Sequence, residues 1–297
     1  MKHFLPHIII ALVLLSPAWA SADILVVQSL PIKPYEDALR GFRSVCKQRI
    51  NRVVGPELSE SSITENVHKG KPDLILAIGM DALLKLKMIR EVPIVYVMVL
   101  NPQTIARDGN NLTGVSMNLA PERQLSLLRE VLPNLRKICI FYDPGKSGPY
   151  MGRVSNAATL MGIELLTRQV RSSRDAIAAI EGIKGRVDAL WLLPDTTVVN
   201  PSTIDLLLLS SIENKIPVIT FSEKYAEKGA LLSLEVDAVE SGKQAGEMAE
   251  RILAGKNLSV VKDEDAREAN LTINMIVAKK LGIPIKTNIT KHARIIK

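Results

Sequence analysis

The chain has little of the residues that do metal and covalent chemistry. Of its 297 residues two are cysteine and four are histidine. Cys46 and Cys139 are too few for a disulfide framework, even in a compartment that permits one. Two of the histidines fall in an N-terminal leader segment, which leaves His68 and His292. Neither has a neighbouring His, Cys or paired carboxylate at metal-ligand spacing, so a zinc enzyme is excluded and no metal or other cofactor is expected. The sequence also lacks a Gly-x-Ser-x-Gly elbow, a Gly-x-x-x-x-Gly-Lys-Ser/Thr loop and a Gly-x-Gly-x-x-Gly after its first strand. Hydrolase, nucleotidase and dinucleotide-dependent readings therefore lack their chemistry, and the chain is not expected to be an enzyme.

Aromatic residues are scarce at 4%, while the formal charge is +7. The basic residues are spread along the chain without the aromatic interleaving of a nucleic-acid surface, so they read as a solvated exterior. A run long enough to span a bilayer is missing as well. The apolar stretch Ile8 to Leu15 follows Lys2 and precedes the small residues Ser16 to Ala22. It falls short of the ~20 apolar residues that a membrane-spanning helix needs. A short apolar centre before Ala18-Trp19-Ala20 or Ala20-Ser21-Ala22 predicts a signal peptide over residues 1–22, cleaved after Ala20 or Ala22. No cysteine lies near that point, so a periplasmic protein rather than a lipoprotein is expected.

With 47% hydrophobic residues the chain can bury a sizeable core. From Asp23 onward, short Val/Ile/Leu runs alternate with longer segments of helical period, the pattern of parallel sheets covered by helices. The fold class is therefore α/β. Strands are predicted at Ile24 to Val27, Leu74 to Ile78, Ile94 to Leu100, Ile138 to Tyr142, Ala189 to Leu193 and Val218 to Phe221. Helices are predicted at Glu36 to Lys47, at Pro121 to Leu132, and over the periodic Ala238, Gly242, Ala245, Ala249 and Ile252. Asp237 caps the last of these and Gly255 ends it.

The halves echo each other. Pro72-Asp73-Leu74-Ile75-Leu76-Ala77-Ile78-Gly79 parallels Val187-Asp188-Ala189-Leu190-Trp191-Leu192-Leu193-Pro194, and each is followed by a helix and a proline-led strand. Two similar lobes, each with its own parallel sheet, explain this better than one continuous sheet of a dozen strands. Ligands of such sheets sit in the crevice beyond the carboxyl ends of the strands. In the first half that rule nominates Ser29, Tyr35, Gly79, Met80 and Asn101. In the second it nominates Tyr142, Asp143, Ser147, Asp195, Thr196, Thr197, Phe221 and Ser222. Asp143 and Asp195 are equally ordinary as caps and turn residues, and the aromatics as core.

Several segments in order, PDLILAIG (72–79), NLTGVS (111–116), VDALWLLPD (187–195), FSEKYAEKGALL (221–232), VDAVESGKQAGEMAER (236–251) and NLTINMIVAKKLGI (270–283), carry a family likeness. On these segments the chain resembles the ABC-transporter substrate-binding proteins of the group with tryptophan and tyrosine binders, related to type I periplasmic binding proteins. The resemblance implies two Rossmann-like lobes joined by three crossings, ligand capture by hinge closure, and a permease with its ATPase as partners of a monomer. The crossings are expected near Ser116, near Ser222 and just after Ala254. Lobe 1 then comprises 23–117 plus 222–260, and lobe 2 comprises 118–221 plus 261–297.

Carried over from the family's cleft are Gly79, Ser116, Asp195, Phe221, Ser222 and Asp237. Met80 stands where the family often has a hydroxyl residue, and Glu235 where a glycine commonly precedes Val-Asp. The expected ligand is thus a small amino-acid-like or similarly polar organic molecule. A sensing protein that docks on a membrane receptor is the alternative use of the same fold.

Overall fold

A computed structural model describes residues 22–55, 59–105 and 111–297. The leader segment, Ala22 apart, lies outside the described residues. The first sheet begins with β1 (Asp23–Gln28), α1 (Lys33–Val45), β2 (Arg49–Val54), α2 (Glu60–Gly70), β3 (Leu74–Ile78), α3 (Met80–Leu86), β4 (Ile94–Val99) and β5 (Leu112–Leu119). β3 and β4 are buried at every position. An apolar residue pointing to either face is satisfied only where both faces are covered, and the two core clusters of this lobe lie on opposite faces of the sheet.

The second sheet is built from α4 (Pro121–Val131), β6 (Lys137–Tyr142), α5 (Pro144–Leu160), β7 (Glu164–Gln169), α6 (Ser173–Glu181), β8 (Ala189–Leu192), α7 (Ile204–Glu213), β9 (Val218–Thr220), α8 (Glu223–Lys228) and β10 (Leu232–Val236). The chain then forms α9 (Ala238–Leu253) and β11 (Glu264–Ala266), followed by β12 (Ala269–Asn274), α10 (Met275–Leu281), α11 (Thr287–Thr290) and β13 (Arg294–Ile296).

The strand orders are β11-β5-β4-β3-β1-β2 and β13-β12-β10-β9-β8-β6-β7. All pairings are parallel except β10 with β12. Each sheet starts from one doubly wound unit, with its first strand between its second and third, so the internal echo in the sequence is a repeated topology. In such a unit the connections part to opposite faces beside the first strand and leave a crevice at the strands' carboxyl ends.

Three expected crossings are relocated. β5 runs on past Ser116 to Leu119, so the first passage between sheets is at Ala120. The second lies at Asp237 rather than Ser222. α8 and β10 stay with the second sheet, because β10 pairs with β9 (Leu232↔Ile219) and with β12 (Leu232↔Ile273). The third lies at 267–268 rather than after Ala254, since β11 pairs with β5 through Glu264↔Val115. Residues 222–236 therefore belong with the second sheet, and 261–266 with the first. The second and third passages run side by side, joined by Asp237 N–H donating to the Glu268 carbonyl at 3.1 Å.

α9 returns to cover the first sheet by lying directly on α1. A Cβ added to Gly242 would sit 1.9 Å from the Ala38 carbonyl oxygen, and one added to Gly41 would sit 1.9 Å from that of Val239. Two glycines thus let the helix backbones touch, which seats the segment entering from the second lobe firmly on the first.

Candidate ligand-binding site

A cavity of about 980 Å³ opens between the carboxyl ends of the two sheets, beside the crossings. The first lobe lines it with Lys33, Pro34 and Asp37 at the start of α1, Met98 and Leu100 at the end of β4, and Met117 to Leu119 of β5. The second lobe contributes Trp191 to Pro194, Phe221 to Lys224, and Leu234 to Val236, and Asp237 joins them from the second crossing. Gln124 and Tyr150 line it as well, with His292 and Arg294 from the C-terminal segment. The volume is that of a site for a small organic molecule, and the lining mixes apolar walls with a few polar groups, as such sites do.

Of the residues nominated by sequence, Phe221, Ser222 and Asp237 border this cavity. The Phe221 ring packs edge-on against Tyr225 at 5.4 Å, which fixes it as a wall. Ser222 precedes α8 but its hydroxyl caps nothing. The cap comes instead from Glu235, whose Oε2 accepts the Glu223 N–H at 2.7 Å. Asp237 Oδ1 accepts the Glu240 N–H at 2.9 Å and so starts α9.

The other nominees come together in separate groups. Ser29 Oγ donates to the Ile78 carbonyl at 3.1 Å and accepts the Ala82 N–H at 2.9 Å. Gly79 has φ +91°, and a Cβ there would lie 2.7 Å from both Ser29 Oγ and Tyr35 Oη. This glycine makes room for the protein's own side chains. Burial and the Asp81 carboxylate push the Tyr35 phenol upward. Met80 packs against the cluster on the far face of the first sheet.

In the second lobe Asp195 is 1% exposed and fully engaged. Its Oδ2 accepts Asp143 N–H and Ser147 Oγ–H, each at 2.8 Å, and its Oδ1 accepts Thr197 N–H at 3.0 Å. Asp143 accepts Gly145 N–H at 2.9 Å and Thr197 Oγ–H at 2.8 Å, bonds that hold its carboxyl below the usual range. The two aspartates thus tie the segments after β6 and β8 together. Thr196 receives the Lys146 ammonium at 2.6 Å. Tyr142 accepts from Gln169 at 3.2 Å and packs on the second lobe's core.

Asn101 touches the other lobe directly and Ser116 reaches it through Asp265. Asn101, in the left-handed region at φ 45°, donates from Nδ2 to the Lys146 carbonyl at 3.0 Å. Ser116 donates to Asp265 Oδ1 at 2.9 Å, and Asp265 on β11 pairs with Arg153 on α5 of the other lobe. That carboxylate holds the Arg153 guanidinium above its ordinary range. Ser116 lies beside a second, smaller hollow of about 190 Å³ at this junction.

Sequence reasoning passed over Asn118 and Trp191, and marked Glu235 only as a departure from the family pattern. They lie on strands rather than in the loops that follow them, and a near-unbroken apolar run gives no signal of which face meets a cavity. No three His, Cys, Asp or Glu side chains among the described residues are grouped to hold a metal.

The family model described as ABC transporter substrate binding protein matches residues 57–297. A tyrosine-binding protein of Clostridioides difficile (strain R20291) is 26% identical over 231 residues, 75% of this chain and 66% of that protein. An uncharacterized protein of Rickettsia prowazekii is 26% identical over 54% of this chain and 52% of its own length, so the chain spans less than two thirds of either relative. The ligand-free, open structure of a substrate binding protein with adhesive properties from Clostridium difficile superposes with TM-score 0.74 at 22% identity. It covers 93% of this chain and 99% of that one. An ABC domain in complex with L-Trp from Streptococcus pneumonia gives TM-score 0.65 at 21% identity, covering 93% and 100%. The two-sheet architecture is that of these proteins, and with four fifths of its length matched the chain belongs to the ABC transporter substrate binding protein family.

Proposed function

We propose that this protein is the exported binding component of an ABC importer. It takes a small amino-acid-like or other polar organic ligand into the cavity between its lobes, and the lobes close on it about their three crossings. The closed form is the one a permease and its ATPase recognise. The observation that carries this reading is a cavity of ligand size whose walls come from both lobes and from the second crossing itself. A ligand that touches both walls stabilises the closed arrangement by differential affinity and needs no chemistry. In this reading Phe221, Ser222 and Asp237 meet the ligand. Ser29, Gly79, Asp143 and Asp195 shape the loops around it, and Asn101 and Ser116 serve the junction of the lobes.

The leader reading of residues 1–22 supports export to the periplasm. Among the described residues no helix is long and apolar enough to cross a membrane.

Thermal melting against amino acids, amines and small organic acids tests the reading, followed by calorimetry and small-angle scattering on each hit. A ligand at a hundred times its dissociation constant stabilises the folded form by about 2.7 kcal/mol. The expected result is at least one compound that raises the melting temperature and lowers the radius of gyration. Binding with no change in scattering would overturn the hinge mechanism.

A further inference from the structure

The charges on the cavity lining do not cancel. Asp37 is paired with Lys33 and Arg40, and Glu223 and Glu227 share Arg294. Lys224 and His292 are exposed. Glu235 and Asp237, two apart on one extended segment and both half-buried, have no cationic partner among the described residues. Each spends one oxygen on a backbone N–H, Glu235 Oε2 on Glu223 and Asp237 Oδ1 on Glu240. Such a helix N-terminus offers roughly half a unit of positive charge, so each carboxylate is only partly compensated. Their other oxygens make no hydrogen bond among the described residues.

A second observation comes from the facing lobe. Asn118 on β5 borders the same cavity and is 4% exposed, yet its Nδ2 has no acceptor among the described residues. A buried donor left unpaired costs about 1–3 kcal/mol, which an acceptor atom of a bound molecule would recover. The two carboxylates thus ask for a cation and Asn118 for a carbonyl or carboxylate oxygen in the same cavity.

We propose that Glu235 and Asp237 are specificity-determining residues that select a ligand carrying a cationic group, ammonium or guanidinium, beyond the α-ammonium common to all amino acids, with Asn118 holding an acceptor atom of the same ligand. The inference rests on the binding reading above and deepens it. It separates this chain's ligand from molecules whose distal end is neutral or anionic. Charge-assisted hydrogen bonds to two carboxylates reward the cation and leave a neutral side chain facing an uncompensated pair.

Calorimetry with L-arginine, L-lysine, L-tyrosine, L-tryptophan and L-glutamate tests it, using the full mature chain. The substitution Glu235→Gln with Asp237→Asn removes both charges and keeps both helix caps, since either amide oxygen still accepts the backbone N–H. Asn118→Ala is measured beside it. Expected are binding of arginine or lysine in preference to the other three, a loss of at least tenfold in the double variant, and a weaker loss in Asn118→Ala. The melting temperature of the free double variant stays near that of the parent. Preference for tyrosine, tryptophan or glutamate, or unchanged arginine and lysine affinity in the double variant, overturns the inference and leaves the binding reading standing. No binding of any amino acid or amine, with no compaction, overturns both.

Discussion

Asn101 of the first lobe donates its side-chain amide to the backbone carbonyl of Lys146 in the second, at 3.0 Å, across the gap between the sheets. Asn101 follows β4 and Lys146 lies in the first turn of α5, so the bond ties the first lobe to the second. Asn101→Asp keeps the left-handed backbone that Asn and Asp tolerate but removes the donor. A net hydrogen bond is worth about 1 kcal/mol, or a factor of about five in the equilibrium between forms. The expected outcome is a ligand affinity shifted by about fivefold in calorimetry, and an unchanged affinity would mean that the bond does not bias the arrangement of the lobes.

Arg153 and Asp265 make the corresponding contact at the crossings, with Ser116 as a third member. Asp265 is mostly covered whereas Arg153 is more exposed, so solvent screens the pair. A double-mutant cycle with Arg153→Met and Asp265→Asn should give a coupling of about 1 kcal/mol in denaturant midpoints. A coupling of zero would mean that the pair does not link the lobes.

The α1–α9 contact sets a steeper test. Gly242→Ala places a methyl group 1.9 Å from the Ala38 carbonyl, and helix backbones cannot yield locally as a flexible side chain would. Overpacking of this kind costs typically 1–3 kcal/mol, so a melting temperature lower by about 5 °C is expected. Gly255→Ala, with nothing within 4 Å of the new methyl, is strained only by its backbone at φ +87° and makes a useful comparison.

Cys46 and Cys139 are buried in different lobes and are not bonded to each other. Burial pushes both thiols up to about 12. The folded protein therefore keeps two protons that the unfolded chain releases near its ordinary thiol value of roughly 8.5. Their contribution to stability is complete below that value and fades as pH climbs from there toward 12. Native protein at pH 8 should resist iodoacetamide, with both thiols alkylated once denaturant is added; rapid native labelling would contradict the burial.

Much of the fold was legible from the residues because its central strands are buried on both faces. The six predicted strands match β1, β3, β4, β6, β8 and β9 to within two residues. The edge strands β2 and β7 were missed. Their exposed Arg49, Arg52, Glu164 and Gln169 mute the apolar run, as solvent-facing edges do. The crossings were misplaced because β10 and β11 are assigned to a sheet by distant partners, Ile273 and Val115, and local pattern carries no trace of them.

The site was read one step short. Proximity to strand ends located the crevice but not the direction of side chains. It named Asp195, whose carboxylate is spent on three neighbouring groups, and marked Glu235 only as a departure from the family pattern, although that residue lines the cavity from within a strand.

The account stands on closure of the two lobes around a ligand. Pulsed electron resonance between nitroxides at Leu84→Cys and Leu206→Cys, exposed positions on α3 and α7, reads the lobe separation directly while the native thiols stay shielded. Saturation with a compound that raises the melting temperature should shorten and narrow the distance distribution. A distribution unchanged at saturation would contradict the account.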